Sequence, residues 1–195
     1  MFIVVQPELS SSGDEDLVGR IRSGDKRAFA TLVERYGGRF RALAYRFTGD
    51  MALAEDLVQE AFVKLWTHAD RFDAQKAKFT TWFHRIVVNR CLDEKRKRRL
   101  SPLPEGYDTP DTSIQVDVKL ENDASNVRLQ AVLLGLSERQ RTAVTLSYFD
   151  CLSNQDAADV MDLNIKAYES LLARSRAKMR KMLMAEKTDL LSAFG

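Results

Sequence analysis

The chain has 195 residues, of which 45% are hydrophobic and 30% charged, with 9 glycines and 4 prolines. This composition disfavours a disordered or all-β protein and favours a soluble, mainly helical one of one medium or two small domains. The formal net charge is only +2, but acidic residues are concentrated between residues 101 and 126, and basic runs lie on either side. This distribution favours binding of a polyanion by the basic segments before and after the acidic stretch, and not by the acidic stretch itself.

The two cysteines and the first residues of the chain indicate the cellular compartment in which the protein works. Cys91 and Cys151 are too few for a disulfide framework, and we expect both to be buried small residues in different domains. No secretory segment precedes the first predicted helix, and Pro7 soon follows the apolar residues 1–5. We therefore predict a disordered tip over residues 1–13, no membrane insertion and a cytoplasmic location.

The first half of the sequence predicts helices separated by clear turn signals. A short helix spans residues 14–22, and Asp25 caps a second helix that continues to Phe47 with a kink or break at Gly37 and Gly38. Thr48-Gly49-Asp50 ends that helix and caps the next, over residues 51–67. Residues 70–78 lack an apolar stripe and predict a surface loop.

The helix over residues 51–67 has the most regular apolar spacing in the chain. Its outer face carries a polar and acidic set: Glu55, Asp56, Gln59 and Glu60. This face is either an ordinary solvated surface or a docking surface for a basic partner. Periodicity alone does not choose between them.

The next predicted helix, FTTWFHRIVVNRCLDEKRKRRL, combines an aromatic face with a polar one and ends in a basic run. Trp82 and Phe83 share the apolar stripe, whereas Thr81, His84, Arg85 and Asn89 line the other side. The pattern fits either a core helix with a solvated tail or a nucleic-acid surface, because the basic run from Lys95 to Arg99 can neutralise phosphates.

The second half predicts a compact group of helices after a linker over residues 101–124, which holds three of the four prolines. A helix over 127–134 is followed by one that Ser137 and Gln140 open as a capping box. Ser153 and Asp156 open a short helix, and Asn164 caps a longer one. A short helix, a tight turn and a longer helix are typical of a helix-turn-helix, although a plain hairpin with a basic flank has the same pattern.

Three motifs, in this order, resemble extracytoplasmic-function sigma factors of the sigma-70 family. They are AEDLVQEAFVKLW (54–66), FTTWFHRIVVNRCLDEKRKRR (79–99) and LSERQRTAVTLSYFDCLSNQDAADVMDLNIKAYESLLARSRAKMRKML (136–183). The resemblance implies an all-α protein of two small helical domains, with sigma region 2 over 14–100, a flexible acidic linker over 101–124, a region 4 helix-turn-helix over 125–187 and a tail over 188–195. It also implies a promoter-specificity subunit that binds core RNA polymerase and promoter DNA under the control of an anti-sigma factor.

The resemblance also assigns roles to residues. Glu55, Asp56, Gln59 and Glu60 would dock on a basic coiled-coil segment of the polymerase. The loop residues Asp73, Ala74, Gln75, Lys76 and Lys78 would form a pocket for the −10 non-template strand, with further strand contacts from His84, Arg85, Asn89 and Arg90. Contacts to the −35 duplex would come from Lys166, Ala167, Ser170, Arg174 and Arg176. The recognition helix reads Tyr168-Glu169-Ser170-Leu171-Leu172, where many relatives have Val-Lys-Ser-Arg-Leu.

Two other classes of function remain as alternatives. A free-standing helix-turn-helix regulator would bind duplex DNA without polymerase, but the first half resembles no ligand pocket. An enzyme is not expected, because His68 and His84 are the only histidines, neither lies in a metal-spaced cluster, and the sequence has no phosphate-binding glycine-rich loop. We therefore expect no catalytic residues, no metal and no cofactor.

Overall fold

The computed structural model describes residues 12–100 and 124–192, with side chains described over 12–98 and 126–184. In these parts of the chain all regular structure is helical, which confirms the predicted all-α class. Most of the predicted N-terminal tip, and the predicted linker apart from Ala124, lie outside the described residues.

The helices fall into two groups on either side of residues 101–123. The first group is α1 (Asp14–Arg22), α2 (Lys26–Thr48), α3 (Met51–Thr67), a 3-10 turn (Ala69–Arg71) and α4 (Phe79–Leu100). The second group is α5 (Ala124–Gly135), α6 (Glu138–Val144) with a π-helical turn (Thr145–Phe149), α7 (Asn154–Val160) and α8 (Ile165–Ser192). Helix α8 continues beyond residue 187, where the predicted domain ends.

The predicted caps begin the helices as expected. Asp25 accepts from the N–H groups of Arg27 and Ala28, and Asp50 accepts from Leu53. In the second group, Ser137 forms the reciprocal capping box with Gln140, and the side chains of Ser153 and Asn164 cap α7 and α8. Each such bond satisfies a backbone donor that the helix itself leaves without a partner.

Helix α2 is continuous through Gly37 and Gly38, so the predicted break does not occur there. A glycine inside a helix destabilises the helix by about 1 kcal/mol relative to alanine. However, Leu32 before the glycines and Phe40 after them are both completely buried in one core. Tertiary packing therefore holds the helix together against the local preference.

An aromatic cluster forms the centre of the first group. Phe83 is fully buried, with its ring centroid 4.7 Å from that of Phe40, 4.8 Å from that of Phe62 and 5.5 Å from that of Phe79. Trp82 is partly buried against the same core. The apolar face of α4 is thus core, as predicted.

The two cysteines lie in different environments. Cys91 is buried in α4, but Cys151 is exposed, so the expectation of burial is wrong for Cys151. Cys151 follows the π-helical turn with a φ of 52°, and connecting segments of this kind run over the protein surface.

The two groups of helices share one hydrophobic core. Ala157, Ala158 and Val160 of α7 belong to the same buried cluster as the core of the first group, and α7 packs against α4. Helices α5 and α6 contact α2 in addition. The sequence did not predict this packing, which determines what the polar face of α4 contacts.

Candidate nucleic-acid and protein interfaces

The acidic face of α3 is open to solvent. Glu55, Asp56, Gln59 and Glu60 are all exposed, whereas Leu57 and Ala61 on the opposite side are buried. Val63 continues the outward face by about one turn and is 61% exposed. Carboxylates beside an exposed apolar side chain suit a protein partner that is basic and partly apolar.

The predicted pocket loop is held in shape by its own residues. Asp73 Oδ1 accepts a 3.0 Å hydrogen bond from Gln75 N, and Lys76 Nζ lies 3.2 Å from Asp73 Oδ2. The hydrogen bond from Gln75 N–H and that from Lys76 both lower the pKa of Asp73, so its carboxyl group is ionised at neutral pH. Ala74, Gln75, Lys76 and Lys78 are exposed.

The polar face of α4 lies against the second group of helices. His84 is completely buried, with Nδ1 2.6 Å from Thr80 O and Nε2 3.3 Å from Asp150 Oδ2. Thr81 Oγ1 donates a 3.1 Å hydrogen bond to Asp156 Oδ1 of α7. The solvent-facing position implied for Thr81 and His84 is therefore wrong in this arrangement, because the second group covers them.

The remaining predicted strand contacts are arranged around this covered patch. Arg85 Nη2 lies 3.2 Å from Asp162 Oδ1, and Lys78 Nζ lies 4.0 Å from Asp156 Oδ2. Asn89 is exposed. Arg90 forms an ion pair with Glu60 of α3, which links a predicted strand contact to a predicted docking residue. Contact of these residues with DNA stays a prediction.

Asp150 is a buried acidic residue that the sequence analysis did not single out. Its side chain is 1% exposed. Arg39 Nη2 donates a 2.7 Å hydrogen bond to the backbone oxygen of Asp150. The guanidinium of Arg46 lies over the ring of the neighbouring Phe149, with Cζ 4.3 Å from the ring centroid. Asp150 comes at the end of the π-helical turn, and such a turn has no recognisable signature in the sequence.

Arg141 joins the two groups from within. It is 1% exposed and donates hydrogen bonds to the carbonyl oxygens of Leu133, Leu134 and Leu136 near the end of α5, and to that of Phe47 in α2. Burial lowers the pKa of this guanidinium. The carbonyls at a helix C-terminus carry partial negative charge, and Glu138 adds an electrostatic attraction, so both offset the cost of burying this cation.

The helix-turn-helix presents a basic face. Lys166, Ser170, Arg174 and Arg176 are exposed, whereas Ala167 is half-buried. Arg174 lines an open cleft of about 480 Å³ together with Arg139 and Gln140, so the fold brings a predicted −35 contact beside a second arginine. Glu169 accepts a 3.4 Å hydrogen bond from Asn154 of α7, and this contact occupies the side chain that replaces the more usual lysine.

Within residues 12–100 and 124–192, no helix is long and apolar enough to cross a membrane. The same residues contain no group of three or more histidine, cysteine or acidic side chains arranged to hold a metal ion.

Comparisons with known proteins agree with this geometry. Residues 32–100 match the family model of Sigma-70 region 2, and residues 126–179 match that of Sigma-70 region 4. The ECF RNA polymerase sigma factor SigW of Bacillus subtilis is 32% identical, covering 85% of this chain and 94% of SigW. The RNA polymerase sigma-H factor of Pseudomonas aeruginosa is 31% identical, covering 90% and 96% of the two chains.

Solved structures are similar over both groups of helices. CnrH in complex with the cytosolic domain of CnrY has a TM-score of 0.69 and 28% identity, covering 89% of this chain and 99% of CnrH. RpoE from Bartonella quintana, in complex with the anti-sigma factor NepR, shows the same fold at a TM-score of 0.61 and 23% identity, covering 80% and 96%. The chain belongs to the extracytoplasmic-function sigma factors, the subunits that direct RNA polymerase to promoters, as its motifs implied.

Proposed function

We propose that three faces of this sigma factor divide its work, with α3 docking on core polymerase, α4 and the loop before it holding the −10 strand, and α8 binding the −35 duplex. The observation that carries this proposal is the separation of charge between exposed faces. Acidic side chains cover the outer face of α3, whereas Lys166, Arg174 and Arg176 cover that of α8. Partners of opposite charge can therefore be bound at the same time.

The acidic face of α3 attracts a basic protein surface, and Val63 gives it an apolar anchor. Interfaces combine a small apolar centre with a charged rim, and the charges mainly set specificity and the rate of association. Glu60 would exchange its ion pair with Arg90 for one with the polymerase. That exchange would leave Arg90 available to a DNA phosphate.

The −10 face requires a change in the relative position of the two groups of helices. In the arrangement described here the second group of helices covers Thr81, through Asp156 of α7, and His84, through Asp150, which leaves no room for a DNA strand over them. We infer that the free chain binds promoter DNA poorly, and that docking on polymerase stabilises a form in which α7 has left α4. Such a shift requires a partner that binds the open form more tightly than the closed one.

We also propose that an anti-sigma factor controls this protein in the cytoplasm. The support is that CnrH and RpoE, which share its fold, were captured with the cytosolic domain of CnrY and with the anti-sigma factor NepR. The chain itself would carry out no chemical step, because the polymerase supplies the active site. The free-standing regulator is not favoured, since the first group of helices matches Sigma-70 region 2.

Run-off transcription by core RNA polymerase over a genomic DNA library tests the proposal and returns the promoter. We expect specific transcripts with the wild-type chain and none with a variant carrying both Asp56→Lys and Glu60→Lys, although circular dichroism shows the same helix content. Glu34→Lys, at an exposed position of α2, is the control and should retain transcription. Unchanged transcription by the double variant would contradict the docking assignment.

A further inference from the structure

Two buried polar atoms face each other where the two groups of helices meet. His84 Nε2 lies 3.3 Å from Asp150 Oδ2, and both side chains are at most 1% exposed. Neither atom makes a hydrogen bond with any residue that the structure describes. Buried polar groups almost always have a partner, so a facing pair of this kind requires a physical explanation.

The other ring nitrogen determines where the histidine carries its proton. Nδ1 of His84 lies 2.6 Å from Thr80 O, a backbone carbonyl that can only accept, so Nδ1 is protonated. In a neutral ring Nε2 would then be an acceptor. It would face a second acceptor, the carboxylate of Asp150, in a site closed to solvent. Two buried acceptors without a donor between them are costly.

The charges around this pair favour an ionised aspartate. From α2, Arg39 Nε lies 3.9 Å from Asp150 Oδ1, and the guanidinium of Arg46 interacts electrostatically with the same residue. The proton that the pair lacks therefore belongs on Nε2 of His84, which gives an imidazolium beside a carboxylate. Burial alone disfavours a charged ring, but a carboxylate at this distance favours it.

The other charged groups that face this part of α4 have partners of their own. Asp156 of α7 accepts a 3.1 Å hydrogen bond from Thr81 Oγ1 and lies 4.0 Å from Lys78 Nζ. Arg85 is paired with Asp162. Carboxylate, ammonium and guanidinium side chains keep their charges between about pH 6 and 8, whereas imidazole changes its charge in that range.

We propose that the closed form holds one proton more than the open form, on the pair of His84 and Asp150, so that a fall in pH keeps the −10 face covered. In the open form both groups reach water, where an imidazole is largely neutral above about pH 7. The form that binds more protons gains as the pH falls, by at most about tenfold per pH unit for one proton. Acid therefore favours the closed form, and a rise in pH favours the open one. This inference rests on the proposed opening by polymerase and adds proton release to it.

The NMR ring signals of the two histidines test the protonation state in the free chain. His84→Gln removes one of the two signals and so assigns both, and His68, at the end of α3, is the reference. We expect His84 to release its proton at a higher pH than His68 in the wild type, and to lose this difference in Asp150→Asn. Release by His84 at the same pH as His68, or at a lower one, would overturn the proposal.

Binding to core polymerase tests whether opening releases the proton. Calorimetry at about pH 7 in two buffers of different ionisation enthalpy counts the protons released. We expect roughly one proton more from the wild type than from Asp150→Asn, whose side-chain amide can donate to a neutral Nε2. The affinity of the wild type for core polymerase should rise relative to that of the variant by up to about tenfold per pH unit.

His68→Gln is the matched control, because it removes the other histidine of the chain, and it should release as many protons as the wild type. Equal proton release by the wild type and Asp150→Asn would overturn the proposal, as would a release that is lost in His68→Gln. Failure of the wild type to bind core polymerase would instead reject the proposed function. The ring signals of the free chain would still decide whether the pair holds the proton.

Discussion

His84 Nε2 of α4 lies 3.3 Å from Asp150 Oδ2 at the end of the π-helical turn, and neither side chain is accessible to solvent. Arg39 approaches the same carboxylate, with Nε 3.9 Å from Oδ1. A carboxylate buried between a histidine and an arginine joins the two groups of helices at the place where α7 covers α4. Neither His84 Nε2 nor Asp150 Oδ2 makes a hydrogen bond to a described residue, so we infer that this contact stabilises the closed arrangement by electrostatic attraction, which is stronger in a buried, low-dielectric site than in water.

Asp150→Ala should favour separation of the two groups of helices. It removes the carboxylate that lies 3.3 Å from His84 Nε2 and 3.9 Å from Arg39 Nε, whereas the hydrogen bond from Arg39 to the Asp150 backbone oxygen remains. We expect the closed arrangement to lose about 1–3 kcal/mol, the cost of leaving a buried polar group such as His84 without its neighbour. Small-angle X-ray scattering should show a larger radius of gyration, and hydrogen exchange should rise along the polar face of α4. Asp162→Asn is the control, because asparagine tolerates the positive φ of 55° at this position. It removes the charge of the exposed pair with Arg85, which contributes less than about 1 kcal/mol.

The same variant tests whether closure blocks DNA. If the second group of helices shields the −10 face, Asp150→Ala should bind a fluorescent pool of single-stranded DNA more tightly than wild type, whereas Asp162→Asn should not. Equal radii of gyration and equal DNA binding for wild type and Asp150→Ala would show that the His84 contact does not hold the two groups together.

The sequence predicts this molecule well where local rules decide. Caps at Asp25, Asp50 and Ser137 begin the helices as expected, and the acidic and basic faces are exposed as their periodicity indicated. It fails where distant contacts decide. The continuity of α2 through its glycines depends on a core on both sides of them. The burial of His84 depends on residues of the second group of helices, such as Asp150, that lie far along the chain. Neither contact leaves a periodic signal.

Arg141→Lys should destabilise the protein although the charge is kept. The guanidinium reaches four backbone carbonyls with its fork of donors, and a single ammonium cannot replace that geometry. We expect urea unfolding to show a loss of about 2–3 kcal/mol, because buried carbonyls are left without donors. Arg139→Lys, two residues away and exposed, should change stability by less than about 0.5 kcal/mol. Equal effects of the two variants would contradict the bridging role.

Only one of the two cysteines should react with iodoacetamide in the folded protein. Cys151 is exposed, whereas Cys91 is buried, and burial raises the pKa of the Cys91 thiol to about 12. Since the thiolate is the reactive form, Cys91 is protected both sterically and by protonation. Mass spectrometry of tryptic peptides should find label on Cys151 under native conditions and on both residues in urea. Native labelling of Cys91 at a similar rate would show that α4 is not packed as described.

Arg174→Ala should weaken promoter complexes and reduce their dependence on salt. Arg174 is exposed on α8 beside Arg139, a position suited to a phosphate of the −35 duplex. Each neutralised phosphate contributes about 0.9 to the slope of log K against log salt concentration, so loss of one contact should reduce the magnitude of that slope by about 1. Holoenzyme binding to the promoter is measured at several salt concentrations. Arg27→Ala, which removes the same charge from the first group of helices, should leave the slope unchanged. If Arg174→Ala has the slope of the wild type, Arg174 makes no phosphate contact, and the basic face of α8 must hold the duplex through its other residues.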